Sequence, residues 1–290
     1  MYERHFGFTV KPFAMTPDPA FLYASRRHAM ALTMLEYGLE SQASFSVLTG
    51  VIGSGKTTLV RKLLQQLGKG VKVGLVTHTH SRFQSIHGWV LSALGVAPGS
   101  DTDVGLYEAL VNSLVQQYAR GGRTLLIIDE AQNLSIEILE ELRLLSNINS
   151  EKDLLLQVLL VGQPELRSKL SRPELRQFAQ RVSVFYDLKC LDRDETHAYV
   201  QHRLKVAGGS PALFRPDALD LVYARSRGVP RLVNRLCDFA LVYAFADKRS
   251  EIDAGLLAQV LQDLGGGLAL SASGTADADS SIGMTNSSAA

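Results

Sequence analysis

The chain has 290 residues, 30 Lys/Arg against 29 Asp/Glu, a formal net charge of +1, 46% hydrophobic residues and 20% charged residues. That length suggests about two domains with room for a sizeable buried core, and the balanced charge excludes an overall electrostatic footprint for nucleic acid or an anionic membrane, leaving only local basic faces. Cys190 and Cys237 are too few for a disulfide framework and lack metal-ligand spacing, so both are read as reduced thiols of a cytoplasmic protein.

The opening Met1-Tyr2-Glu3-Arg4-His5-Phe6 is charged and has no apolar stretch, which argues against a signal peptide. The greasiest runs, Leu154 to Val161 and Phe239 to Ala246, fall short of the roughly 20 residues a membrane helix needs. Turn chemistry in Lys11-Pro12-Phe13 and Thr16-Pro17-Asp18-Pro19 precedes a helical pattern over 25–39. Residues 45–49 predict a buried strand, 55–67 a helix, 71–77 a second strand, and 82–94 and 104–118 two more helices. Thr124 to Ile128 is apolar without interruption after its first residue, as expected of a strand covered on both faces. A helix over 135–146, a buried strand over 154–161, a polar helical stretch and a short strand over 182–186 follow. This alternation implies a parallel sheet covered by helices.

After Leu188 the predicted strands stop. Residues 192–207, 215–226, 229–246 and 253–264 read as helices, with Asp192 and Asp194 as cap candidates for the first and Arg215-Pro216-Asp217 opening the second. The expected organisation is an α/β domain over 1–190, with an N-terminal segment over 1–40, then a small all-helical domain over 191–264. Residues 265–290 are rich in Gly, Ser and Ala, hold few large apolar side chains and predict a disordered tail.

Gly50-Val51-Ile52-Gly53-Ser54-Gly55-Lys56-Thr57 matches G-x-x-x-x-G-K-[ST] in full, between a predicted strand and a predicted helix. Its glycines let backbone N–H groups point inward at phosphate oxygens, and the helix N-terminus adds a favourable dipole. Lys56 is expected to reach the β- and γ-phosphates and Thr57 to ligate Mg²⁺. Thr58 either joins the nucleotide site or packs and caps the helix. Asp129, at the end of an apolar strand, is the second candidate for Mg²⁺, and the adjacent Glu130 is the candidate to polarise an attacking water. One predicted strand, 71–77, lies in sequence between the loop strand and the Asp129 strand. With Glu130 beside Asp129, this resembles the additional-strand, catalytic-glutamate branch of phosphate-loop proteins, which mostly hydrolyse ATP. No Asn-Lys-x-Asp guanine signature follows Asp129.

Further motifs are Phe6-Gly7-Phe8, Lys11-Pro12-Phe13 and Thr16-Pro17-Asp18-Pro19-Ala20-Phe21-Leu22-Tyr23, then Asp129-Glu130-Ala131-Gln132-Asn133-Leu134, Val161-Gly162-Gln163-Pro164-Glu165-Leu166 and Gly228-Val229-Pro230-Arg231. In this order, over about residues 1–264, they resemble the general secretion pathway protein A (ExeA) family of AAA+ ATPases. The resemblance implies a P-loop AAA+ module, a five-stranded parallel sheet with flanking helices, followed by a helical lid, with ATP and Mg²⁺ as cofactors. It implies that Gln163 is a polar sensor of the γ-phosphate or attacking water, a turn residue being the alternative. Arg231 would be the second sensor, its alternative a solvated or ion-paired arginine. Arg181 would be an arginine finger acting on a neighbour's nucleotide, with Arg176 and Arg172 as rivals, and hence a homo-oligomer. The N-terminal stretch through Tyr23 would line the adenine pocket.

The resemblance also implies assembly or regulation of a bacterial envelope export system: secretion, type IV pilus or exopolysaccharide. Full-length members carry a transmembrane helix and a peptidoglycan-binding domain after the AAA+ module, so a short cytoplasmic form is expected, peripheral at the inner membrane through its partners. The alternative is a DNA-binding regulatory ATPase of the transposition-accessory type. Ten Lys/Arg against ten Asp/Glu over 191–264 gives that alternative no basic stripe. His78 and His80 could form a metal pair but have no evident third ligand, and a polar loop is the expected reading.

Overall fold

The computed structural model describes all residues except 17, 69, 78–84, 100–101, 149–152 and 266–290. The expectations for His78, His80 and the 265–290 tail therefore fall outside the described residues, apart from Gly265.

A short helix α1 (Glu3–Phe6), not expected from the sequence, opens the chain and is followed by α2 (Arg26–Glu40), β1 (Phe45–Thr49), α3 (Lys56–Gln66), β2 (Val71–Val76), α4 (Ile86–Ala93), α5 (Asp103–Ala119) and β3 (Arg123–Ile128). Then come α6 (Ile136–Leu145), β4 (Leu156–Gly162), α7 (Pro164–Leu170), α8 (Arg176–Ala179) and β5 (Val182–Asp187). Four helices complete the described chain: α9 (Arg193–Val206), α10 (Pro216–Ser226), α11 (Pro230–Ala246) and α12 (Ala254–Gly265).

The five strands are parallel in the order β2-β3-β4-β1-β5. In β1, Phe45 and Val47 face one side of the sheet and Leu48 the other, the period-2 alternation of a strand buried on both faces. On the first side they meet Leu126 and Ile128 of β3, Val158 and Leu160 of β4, and the apolar faces of α4, α5 and α6. On the second side Leu125, Ile127, Leu159 and Val161 pack on Ala31 and Leu35 of α2 and on Leu59, Val60 and Leu63 of α3.

One strand stands between the loop strand and the Asp129 strand in sequence, but β2 is not the strand that separates them in space. It lies at the sheet edge, and β4 is inserted between β1 and β3. The additional strand of the catalytic-glutamate branch is therefore the one that ends at Gly162. Registers Thr49↔Gly162 and Ile128↔Leu160 bring the carboxyl ends of β1, β4 and β3 to one edge, where ligands bind in open α/β sheets.

Helices α9 to α12 share a third apolar cluster that includes Leu204, Leu219, Val233, Cys237 and Leu257. Asp192, not Asp194, caps α9: its side chain accepts from the Glu195 N–H while the Glu195 carboxylate accepts from the Asp192 N–H. The N-terminal segment, grouped by sequence with the α/β domain, sends Tyr2, Phe8, Phe13 and Phe21 into this helical cluster. Its backbone follows, with the Thr9 N–H donating to the Ala207 carbonyl at 2.8 Å. The cause is aromatic burial: α9 to α12 leave apolar surface that these four rings cover.

Candidate active site

The loop Gly50–Gly55 leaves β1 beside the end of β4, where the Gly50 N–H donates to the Gly162 carbonyl at 3.2 Å. It enters α3 through Gly55, which has φ +102°. Gly53, at φ +81°, has no room for a side chain: a Cβ there would lie 2.5 Å from the Cβ of Arg231. The Arg231 N–H donates to the Gly53 carbonyl at 3.2 Å, so the first turn of α11 rests on the loop. Gly228 sets this approach. Its φ of +71° turns the chain into α11, and a Cβ would stand 1.8 Å from the Leu191 carbonyl oxygen at the junction between sheet and helical unit. The Gly228-Val229-Pro230-Arg231 motif is thus a tight turn followed by a helix start, with Pro230 in the first turn.

A cavity of about 380 Å³ lies between the loop, the helical unit and the N-terminal segment. From the loop it is lined by Ile52, Gly53, Gly55, Lys56, Thr57 and Thr58, from the end of β3 by Asp129 and Glu130, and from α11 by Arg231. Thr58 thus faces the cavity and is not confined to packing. Gly50, Val51 and Ser54 shape the loop without lining the cavity. Lys56 is 8% exposed and its Nζ donates to the Gly50 and Val51 carbonyls at 2.7 and 3.1 Å. Burial pushes the Lys56 pKa down, while the charges of Glu130, Asp129 and Glu165 oppose that shift and favour the ammonium. The Asp129 N–H donates to the Val76 carbonyl, and its Oδ1 accepts from the Glu130 N–H at 2.9 Å. Glu130 follows at φ +52°, a left-handed residue that turns the chain away from β3 two positions after its last strand residue, Ile128.

Two candidates stand apart from the cavity wall. Gln163, at the end of β4, reaches the site through Glu130: its Nε2 donates to Glu130 Oε2 at 3.2 Å. Arg181 sits before β5 with its guanidinium on the last turn of α6, donating to the Arg143 carbonyl at 3.3 Å and Ser146 Oγ at 2.8 Å. Arg172 and Arg176 on the same segment are exposed.

At the opposite end of the cavity, Met15, Thr16, Phe21, Leu22 and Tyr23 line it from the N-terminal segment that the motifs pointed to, and Tyr199, Arg203 and Asn234, for which the sequence offered no signal, line it from the helices. Phe13 does not line it and is 1% exposed in the helical core. Arg203 is 6% exposed, and its guanidinium lies 4.7 Å from the Phe21 ring centroid. It donates to the Pro12 carbonyl at 2.6 Å and to Tyr199 Oη at 2.8 Å, and Tyr199 Oη donates to Asn234 Oδ1 at 2.8 Å. His28 supports the loop from below. The Ser54 carbonyl can only accept, so the proton is on His28 Nε2 (3.1 Å), and Nδ1 accepts from Ser25 Oγ at 2.9 Å.

An inward-facing glycine loop, a lysine, a hydroxyl at a helix start and two carboxylates on one cavity are the parts needed to hold a nucleoside triphosphate and position a water. Thr57 and Asp129 offer hard oxygen ligands to the same space, a donor set that fits Mg²⁺.

Comparison with known proteins agrees with the sheet order. Residues 39–170 match the family described as AAA domain. The chain has the fold of a P-loop AAA+ module. It is 38% identical over 267 residues to general secretion pathway protein A of Aeromonas hydrophila, a match covering 92% of this chain. The chain spans about half, 49%, of that relative's length. The resemblance noted in its motifs therefore extends over nearly all of the chain. Solved structures share the fold. The Aeropyrum pernix ORC2 protein aligns with a TM-score of 0.67 at 20% identity, covering 88% of this chain and 72% of that one. The Cdc6p structure from Pyrobaculum aerophilum aligns at 0.64 and 18%, covering 86% and 71%. The Thermotoga maritima RuvB Holliday junction branch migration motor aligns at 0.52 and 18%, covering 83% and 70%. No described helix of the chain is long and apolar enough to cross a membrane.

Proposed function

We propose that the chain hydrolyses ATP with Mg²⁺ and couples the cycle to assembly or regulation of a bacterial envelope export system. The observation that carries the chemistry is the convergence of Lys56, Thr57, Asp129, Glu130 and Arg231 on one cavity. Support for the pathway is the 38% identity to a general secretion pathway protein; secretion, type IV pilus and exopolysaccharide systems remain the candidate clients, served from the cytoplasmic face of the inner membrane.

In this proposal the loop N–H groups and Lys56 hold the β- and γ-phosphates, and Thr57 and Asp129 hold the Mg²⁺, which neutralises phosphate charge when bound. Glu130 accepts a proton from water as the water oxygen bonds to the γ-phosphorus, the bond to the β–γ bridging oxygen breaks, and ADP leaves with that electron pair. Gln163 orients the same water through its amide. Arg231 contacts phosphate from the lid. Arg181 acts on the nucleotide of a neighbouring copy, leaving its bonds to α6 to do so, with Arg176 and Arg172 the exposed alternatives.

The test is steady-state turnover together with nucleotide binding. Glu130→Gln is expected to retain ATP binding and stop turnover, and chelation of Mg²⁺ to stop the wild type. Turnover by Glu130→Gln equal to wild type removes the glutamate role. For the finger, inactive Arg181→Ala mixed with inactive Lys56→Ala is expected to regain activity, since each supplies what the other lacks at a shared site. Failure to complement returns Arg181 to its capping role on α6. Steeply salt-dependent DNA association would favour the regulatory DNA-binding alternative.

A further inference from the structure

Gln132 spans the ends of β3 and β4. Its backbone is fixed first: Ala131 and Leu134 on either side are buried in the core, and Lys169 of α7 donates from Nζ to the Gln132 and Leu134 carbonyls at 2.5 and 2.6 Å. The side chain then makes two bonds of opposite sense. Oε1 accepts from the Gln163 backbone N–H at 3.0 Å, and Nε2 donates to Glu130 Oε2 at 2.5 Å. A backbone N–H can only donate, so the amide has one permitted orientation, with its nitrogen on the glutamate. Gly162 leaves the space for this crossing: a Cβ at 162 would lie 3.0 Å from Gln132 Oε1. Gln163 Nε2 reaches the same Glu130 oxygen at 3.2 Å, so two amides, one of them tied to the other residue's backbone, hold one carboxylate oxygen.

We infer that Gln132 is a positioning residue for hydrolysis: its amide locks the Glu130 carboxylate to the end of β4, so that Glu130 and Gln163 face the terminal phosphate as one rigid unit. The inference rests on the ATPase reading of Glu130. Glu130 itself is exposed and has a left-handed backbone. A water-activating group must be held within a fraction of an ångström of its working position, and the rigid amide of Gln132 supplies that restraint by tying Glu130 to the Gln163 N–H at the end of β4.

Two substitutions separate positioning of Glu130 from simple support of the loop. Gln132→Met keeps the side chain's length and loses both bonds. Gln132→Glu keeps an acceptor for the Gln163 N–H but sets a carboxylate against Glu130. Both are expected to lower kcat by about 10- to 100-fold while the affinity for a fluorescent ATP analogue stays within about twofold of wild type. Normal turnover by Gln132→Glu with loss in Gln132→Met would make the residue a support for the loop and overturn the inference. So would normal or raised turnover in both, or a loss confined to nucleotide affinity. Wild type and Glu130→Gln, run beside them, keep the two ideas apart. If wild type hydrolyses ATP and Glu130→Gln does not, normal turnover of the Gln132 variants removes only this inference. If Glu130→Gln matches wild type, or wild type is inactive, both fall.

Discussion

His28 is 5% exposed and spends both ring nitrogens locally, one on the loop carbonyl of Ser54 and one on the hydroxyl of Ser25. Burial is the main cause that holds its pKa below the ordinary 6.5, with the Ser54 carbonyl and the Glu195 charge opposing. A histidine whose folded pKa is lowered binds fewer protons folded than unfolded once the pH falls below 6.5. Stability is therefore retained above that pH and lost on acidification below it. His202, also lowered by burial, contributes in the same direction. Chemical denaturation between about pH 8 and 5, the range over which histidine changes charge, is expected to show this fall, and His28→Gln to flatten it. His28→Leu, which unlike Gln has no side-chain N–H to offer, removes the donor from a buried carbonyl under the phosphate loop, which costs about 1–3 kcal/mol and weakens ATP binding. None of this was legible in the sequence, where His28 is one polar residue in a helical pattern. By contrast, Lys56, Thr57, Asp129 and Glu130 were legible because their spacing reports a local geometry: loop, helix start and strand end are each set within a few residues.

At the scale of elements, pattern and punctuation were enough to locate most helices and strands. β1, β3 and β4 are apolar because they are covered on both faces, and α3, α6 and α11 carry their apolar residues on one side. Sequence left two cap candidates for α9; the structure decides for Asp192, whose bond to the Glu195 N–H is returned by the Glu195 carboxylate. Glu195 also lies within reach of Arg27 on α2, so this cap joins the sheet unit to the helical unit. Asp192→Ala is expected to cost about 1 kcal/mol, measured as a shift in the urea midpoint at unchanged slope. Asp194→Ala, a surface change with no capping bond, is expected to stay within about 0.5 kcal/mol. What pattern could not supply is which strand lies beside which. Hydrophobic periodicity is the same for an edge strand as for an inserted one, so the separation of β1 from β3 by β4 appears only in the sheet itself.

Across the whole molecule, the cavity has walls from three parts of the chain: the sheet edge, the lid helices and the N-terminal segment, through Ala14, Met15, Thr16, Asp18, Phe21, Leu22 and Tyr23. The last of these is held from the lid side, by Arg203 on the Pro12 carbonyl and by Phe13 packed edge-on against Phe214. The sequence suggested that the segment lines the pocket, yet not that its aromatics anchor in the helical unit, because contacts across about 200 residues leave no local signature. Phe13 is 1% exposed, and Phe13→Ala is expected to cost about 3–5 kcal/mol of stability. Because Phe13 does not touch the cavity, any accompanying loss of ATP affinity would measure how far the anchored segment supports the site. Denaturant unfolding and analogue binding on the same variant separate the two effects.

The placement of Tyr2 against Asp238, 236 positions away, also governs how the polypeptide matures as it is made. Strands β1 to β5 and their covering helices are complete once synthesis passes Asp187, and that layer can consolidate while translation continues. The leading aromatics cannot. They leave the ribosome ahead of the sheet and wait, uncovered, until the helices that follow Asp187 have emerged. A nascent chain stalled before α9 would therefore display Tyr2, Phe8 and Phe13 to chaperones, and would hold a finished sheet that still lacks the lid side of its nucleotide pocket.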